Sequence, residues 1–187
     1  MFIQFTGLSG AGKTTVAKAL KERLESEGIP CSIIDADDYR KTLCPDLKFS
    51  KGDRFENIRR LALVTNIFSQ KNYVAILSAI NPYDEMRGEL AYKYQALTVY
   101  FKSDISVLIE RDTKGLYGKA LLPDEHPDKI SNFTGISDPF EEPANPNLIL
   151  FTDKESVEVS VEKLYEFITD KLNGSHIRQK TIQYERI

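Results

Sequence analysis

Eight consecutive residues, Gly7-Leu8-Ser9-Gly10-Ala11-Gly12-Lys13-Thr14, have the types and spacing needed to hold phosphate. They satisfy G-x-x-x-x-G-K-[ST] between an apolar stretch and an amphipathic one. Glycines let the backbone curl so that successive N–H groups converge on phosphate oxygens, and the start of the following helix adds the positive end of its dipole. In such a loop Lys13 reaches the β- and γ-phosphates and Thr14 sets its hydroxyl on Mg²⁺. The chemistry implied is the handling of a nucleoside triphosphate. The cradle alone does not separate a kinase from a GTPase or a regulatory ATPase.

A second polar group, Asp35-Ala36-Asp37-Asp38-Tyr39-Arg40, follows another apolar run. Carboxylates there emerge at the same sheet edge as the cradle and can hold Mg²⁺ through water or accept a hydroxyl proton. Asp35 or Asp38 is expected to cap the next helix, leaving Asp37 for the chemistry. Cys31 and Cys44 lack metal-like spacing and read as reduced thiols without a chemical role. His126 has no carboxylate–histidine–nucleophile pattern around it and reads as an exposed loop histidine.

The elements that must position these groups alternate in type. Phe2–Phe5, Cys31–Ile34, Tyr73–Ile80, Leu97–Phe101 and Leu148–Phe151 are short apolar runs that predict strands. Between them, helical periodicity predicts helices over Thr14–Glu27, Asp53–Gln70 and Asp84–Gln95. A closing helix presents Val157, Val161, Leu164, Ile168 and Leu172 on one face. Continuous apolar strands joined by helices predict an α/β fold of the three-layer P-loop NTPase type, with a mostly parallel five-stranded sheet and helices on both faces. Ligands of such sheets bind at the carboxyl ends of the strands. The stretch 121–146, rich in Pro, Asp, Glu and Asn, is too long for an ordinary connection and reads as a lid, spanning about 114–146 in full. One domain over 1–173 and a polar tail over 174–187 are expected.

The 187 residues carry a formal charge of −3, which disfavours nucleic acid or an anionic membrane as the main partner but permits a local basic pocket. Met1–Phe5 lacks a basic segment followed by a long apolar one, and no apolar run reaches the ~18 residues of a membrane span, so a cytoplasmic protein is expected.

Four segments together resemble the adenylylsulfate kinases (APS kinases). The family's D-G-D-N-x-R is carried by Asp35 to Arg40, with Ala36 for the glycine. Its G-F-S-x-x-D-R-x-E-N-I-R-R corresponds to Lys48 through Arg60. R-D-x-K-G-L-Y-x-K-A is matched by Arg111 to Ala120 without a gap, and N-F-T-G-I-x-D-P-Y-E-x-P by Asn132 to Pro143 with Phe140 for the tyrosine. The resemblance runs nearly to Phe151. It implies ATP as donor with Mg²⁺ held at Thr14 and Asp37, and adenylyl sulfate accepting phosphate on its ribose 3′-hydroxyl. It implies Lys13, Asp37 and Lys114 as catalytic residues. The ATP contacts it implies are Gly7, Ser9, Gly10, Ala11, Gly12, Lys13, Thr14, Thr15 and Arg111. For the acceptor it implies Asp37, Arg40, Phe49, Arg54, Asn57, Ile80, Lys114 and Phe133. Phe49 and Phe133 resemble rings that sandwich the acceptor's adenine, and their polar loop settings argue against burial in the main core. A homodimer is also implied.

The chain departs from the family in three places. S-P-Y-R appears as Asn81-Pro82-Tyr83-Asp84, which reverses a charge, although Arg87 matches a later family arginine. Pro123–Asp128 enlarges the lid, and the chain starts directly at the first strand. Two further readings accompany the first: a 3′-hydroxyl kinase for another nucleotide conjugate such as a cytidine diphosphate derivative, since stacking tolerates different bases, and a nucleotide-binding regulatory protein without catalysis.

Overall fold

The structure is a computed structural model; it describes the backbone of residues 1–184 and the side chains of 1–174, so most of the expected tail lies outside the described side chains. Five strands, β1 (Phe2–Thr6), β2 (Cys31–Asp35), β3 (Val74–Ser78), β4 (Leu97–Lys102) and β5 (Leu148–Phe151), form one sheet in the order β2-β3-β1-β4-β5. Every pairing is parallel. All carboxyl ends therefore meet along one edge, as the apolar runs predict.

Helices cover both faces. The expected ones appear as α1 (Lys13–Ser26), α3 (Lys51–Gln70), α4 (Asp84–Tyr94) and α7 (Val157–Tyr184). Three more, α2 (Ala36–Leu43), α5 (Ile105–Arg111) and α6 (Leu116–Ala120), complete the set among the described residues. The sheet splits the apolar interior in two. On one face Ile3, Phe5, Val99 and Phe101 pack with Val16, Leu20 and Leu24 of α1 and Leu164 and Ile168 of α7. On the other, Phe2, Ile34 and Leu77 pack with Ile58 and Leu61 of α3 and Met86 and Leu90 of α4.

Boundaries shift where capping decides them. α3 starts two residues before Asp53, because Ser50 Oγ accepts from Asp53 N (3.2 Å) and donates to Asp53 Oδ2 (2.8 Å). α1 ends where Ile29 N donates to Leu24 O (2.9 Å), with Gly28 at φ 76°. Gln4, a polar residue in central β1, is satisfied by Arg87 O and Thr98 Oγ1, both at 3.0 Å. Both cysteines are free and buried, and burial pushes the Cys31 thiol up to about 12, which suits an inert role. Among the described residues no helix is long and apolar enough to cross a membrane.

Candidate active site

The loop between β1 and α1 is tightly constrained. Gly7 has φ 149°, and a Cβ there would lie 2.6 Å from Phe101 O, so a side chain is excluded by backbone and not merely by a movable neighbour. Lys13 opens α1 and folds back, its Nζ donating to Gly7 O (2.8 Å) and Leu8 O (2.7 Å). Burial and, secondarily, the charge of Lys114 push its ammonium down to about 8.

Asp35, at the end of β2, caps α2 by accepting from Asp37 N (3.0 Å). Its other oxygen accepts from Thr14 Oγ1 (2.8 Å) and Ser78 Oγ (3.2 Å). A carboxylate read as a plain cap thus also holds the hydroxyl expected to meet Mg²⁺. Asp37 stands outward on α2, 73% exposed, and accepts from Lys114 Nζ at 2.6 Å. That contact crosses from the β2 end to the segment after α5, and it brings together two of the three residues expected to be catalytic.

One cavity of about 730 Å³ runs along the carboxyl edge of the sheet. From the cradle it is lined by Ser9, Gly10, Gly12, Lys13, Thr14 and Thr15. Its far wall contains Asp37, Arg40, Phe49, Arg54 and Ile80, and Lys114 and Phe133 close it. Lys41 adds to Lys13, Arg40, Arg54 and Lys114, making five cationic side chains against the two carboxylates of Asp35 and Asp37. An anionic ligand is therefore favoured here in spite of the negative net charge.

Phe49 is 52% exposed, held by Arg40 at 4.3 Å and Arg54 at 5.7 Å from its ring centroid rather than by apolar packing. Phe133 differs from expectation. It is only 8% exposed and belongs to the larger core cluster, set edge-on to Tyr117 with 4.9 Å between centroids. It lines the cavity from the rim of that core, so a polar sequence neighbourhood did not keep it out.

Four expected residues are not in the cavity wall. Gly7 and Ala11 support the cradle from behind, Ala11 being 1% exposed. Asn57 lies on the buried face of α3 at 4% exposure, its Oδ1 without a hydrogen-bond partner, because its place in the helix turns it with Ile58 and Leu61 toward the sheet. Arg111 ends α5 and donates to Thr152 O (3.3 Å) beyond β5. Tyr117, which the residue pattern alone did not single out, fastens α6 to the cradle by donating to Ser9 O (2.9 Å). Arg59 is a surface residue paired with Glu89 (2.7 Å). His126 is exposed, which is the setting expected of it.

Asp84 also lies outside the cavity wall. It pairs with buried Arg87 (3.1 Å), whose guanidinium donates to Asn81 O (2.7 Å) and Glu141 O (2.6 Å). Asn81 takes φ 40°, a conformation asparagine tolerates better than most residues, and donates to Gln4 Oε1 (3.2 Å). The charge reversal is absorbed by an ion pair beside the site.

The family model of adenylylsulphate kinase matches residues 1–151. An adenylyl-sulfate kinase of Halothermothrix orenii is 43% identical over 172 residues, 90% of this chain and 89% of the relative. One of Chloroflexus aurantiacus is 44% identical over 165 residues, 88% and 86% of the two chains. Among solved structures, the APS kinase of Mycobacterium tuberculosis in complex with AMPPNP and APS superposes with a TM-score of 0.82 at 31% identity, covering 90% of this chain and 98% of the other. With a cradle, a facing carboxylate–lysine pair and an aromatic rim on one cavity, and with this breadth of similarity, the chain belongs to the adenylylsulphate kinase family.

Proposed function

We propose that this chain transfers the γ-phosphoryl group of ATP to the ribose 3′-hydroxyl of adenylyl sulfate, giving 3′-phosphoadenylyl sulfate. The observation that carries the reading is that Phe49 and Phe133 line the same cavity as the phosphate cradle and the Asp37–Lys114 pair. A base between two rings and a triphosphate on the cradle would leave a sugar hydroxyl within reach of the terminal phosphate.

Phosphoryl transfer leaves the protein mainly positioning and charge stabilisation. Backbone N–H groups of the cradle hold the donor's phosphates, and Lys13 exchanges its two carbonyl partners for their oxygens. Arg111, tied to Thr152 O, flanks the donor's base. Asp37 orients the 3′-hydroxyl and takes its proton; Lys114, released from Asp37, neutralises charge on the transferring group. Arg40 and Arg54 face the acceptor's anionic end. The segment about 114–146 acts as a lid that excludes water.

The donor set fits Mg²⁺. Thr14 Oγ1 and the Asp35 carboxylate are adjacent hard oxygens on the cavity that Asp37, the other expected ligand, also lines. Bound there, Mg²⁺ would neutralise phosphate charge. A homodimer, read by light scattering, and a cytoplasmic site complete the proposal.

The deciding experiment offers ATP with adenylyl sulfate, cytidine diphosphate conjugates and no acceptor, and follows ADP release. Turnover confined to adenylyl sulfate is expected. Turnover only of a cytidine conjugate, or none with any acceptor, would overturn the reading. The similarity to adenylyl-sulfate kinases and the placing of Asp84 outside the cavity wall favour the first outcome.

A further inference from the structure

Arg54 spends most of its guanidinium on protein. Nε donates to Phe49 O (3.0 Å), Nη1 to Thr134 Oγ1 (3.0 Å) and Nη2 to Asn132 O (2.7 Å). One arginine on α3 therefore holds the backbone of one ring-bearing loop and both residues flanking the other ring. Asp138 stands behind it: its Oδ2 lies 3.1 Å from Arg54 Nη2, with the two side chains only 22% and 11% exposed. The contact lacks the alignment of a full hydrogen bond, so it acts through charge.

The turn that carries Asp138 is the one that carries Phe133. Asp138 N donates to Phe133 O (3.1 Å), Gly135 N to Asp138 O (2.7 Å), and Phe133 N to Ser137 Oγ (3.0 Å). Asp138 itself is absent from the cavity of the cradle and borders a separate one of about 700 Å³ beside Tyr100 and Phe140. Near Arg54, Arg40 is a second cation on the Phe49 ring, and its guanidinium is pushed below its ordinary value by burial and then by Arg54. Of the two like charges at this ring, Arg40 is offset by Asp37 and Asp53, and Arg54 has Asp138 at 3.1 Å.

We propose that Asp138 is a positioning residue: by holding Arg54 against the 132–134 backbone it sets the spacing of Phe49 and Phe133, and so governs affinity for the acceptor nucleotide and not for ATP. This rests on the acceptor reading given above. The lid is thus fastened on the acceptor side by one arginine whose charge is balanced from outside the site.

The test is steady-state kinetics of the full chain with Asp138→Asn, which keeps shape and removes charge. The expected result is a KM for adenylyl sulfate raised about tenfold, with the KM for ATP within about twofold. In an Arg54→Lys background the same change is expected to add almost nothing, because the partner it acts through is already altered. Ser137→Ala, which releases Phe133 N, is expected to give a smaller selective rise of about threefold and serves if Asp138→Asn does not fold. An unchanged or lowered acceptor KM would overturn the proposal, since Arg54 would then serve the acceptor better when free of the lid. A parallel rise in both KM values, or full additivity with Arg54→Lys, would also overturn it. If the unaltered chain shows no turnover of adenylyl sulfate, both readings fall; if it turns over and the variants match it, only this one does.

Discussion

Lys13 has its ammonium inside its own loop, where two carbonyl oxygens stand in for phosphate oxygens and burial lowers its proton affinity to a pKa of about 8. The ordinary value is 10.5, so between these pH values the unfolded chain holds a proton that the folded one has lost. The cost of burying the charge is then full below about pH 8 and is relieved as pH rises toward 10.5. A polyanionic donor requires the charged form, so ATP affinity is expected to hold up to about pH 8 and fall above it by up to about tenfold per unit. Calorimetric titration across pH 7–10 in buffers of different ionisation heat reads both the affinity and the linked proton; an affinity independent of pH would contradict the assignment. Asp37→Asn is expected to lower kcat by about 10²–10⁴-fold while ATP binds within about threefold of the unaltered chain. Retained turnover would remove Asp37 from its role. Sequence spacing pointed to Lys13, Thr14 and Asp37 because backbone geometry dictates their order. It could not show that Asp35 serves Thr14, Ser78 and the α2 cap together, since those partners come from α1, β3 and α2.

At the scale of elements, α3 shows how a local signal fixes a distant ring. Ser50 begins the helix one residue after Phe49, so the cap determines where the exposed ring leaves the fold. Ser50→Ala is expected to cost about 1 kcal/mol and to lower Tm by about 2–4 °C, measured by thermal unfolding; no shift would mean that Asp53 and water replace the cap. The strands were legible because each is a continuous apolar run between turn residues, and α1, α3, α4 and the start of α7 because their apolar positions repeat at helical spacing. α2 was only implied by its cap, since none of its residues is buried and it has no apolar stripe to detect. α5 and α6 span seven and five residues, too short for periodicity to register, and they formed where Asp104 caps one and Asp112 accepts from Tyr117 N (2.9 Å) in the other.

Among the described residues two apolar clusters are divided by a parallel sheet, with the cavity of the cradle along one edge. That much follows from alternation of strand and helix. The composition of the cavity does not, because Phe133 reaches it from a segment more than eighty residues after Phe49 and is fixed by packing on Tyr117 rather than by any nearby pattern. The same segment touches the cradle: Gly135 lies so close to Leu8 that an added Cβ would come within 2.7 Å of its methyl group, and Tyr117 reaches Ser9 O. The segment is consequently held from both sides, by the cradle and by Arg54 of α3, which donates to Thr134 Oγ1 and Asn132 O beside the half-exposed ring of Phe49. The two attachments differ in wetness: Tyr117 Oη reaches Ser9 O in a buried contact, whereas Arg54 to Asn132 O and Lys114 to Asp37 are exposed, so water competes for the segment's hold on the α2–α3 side before it competes for its hold on the cradle.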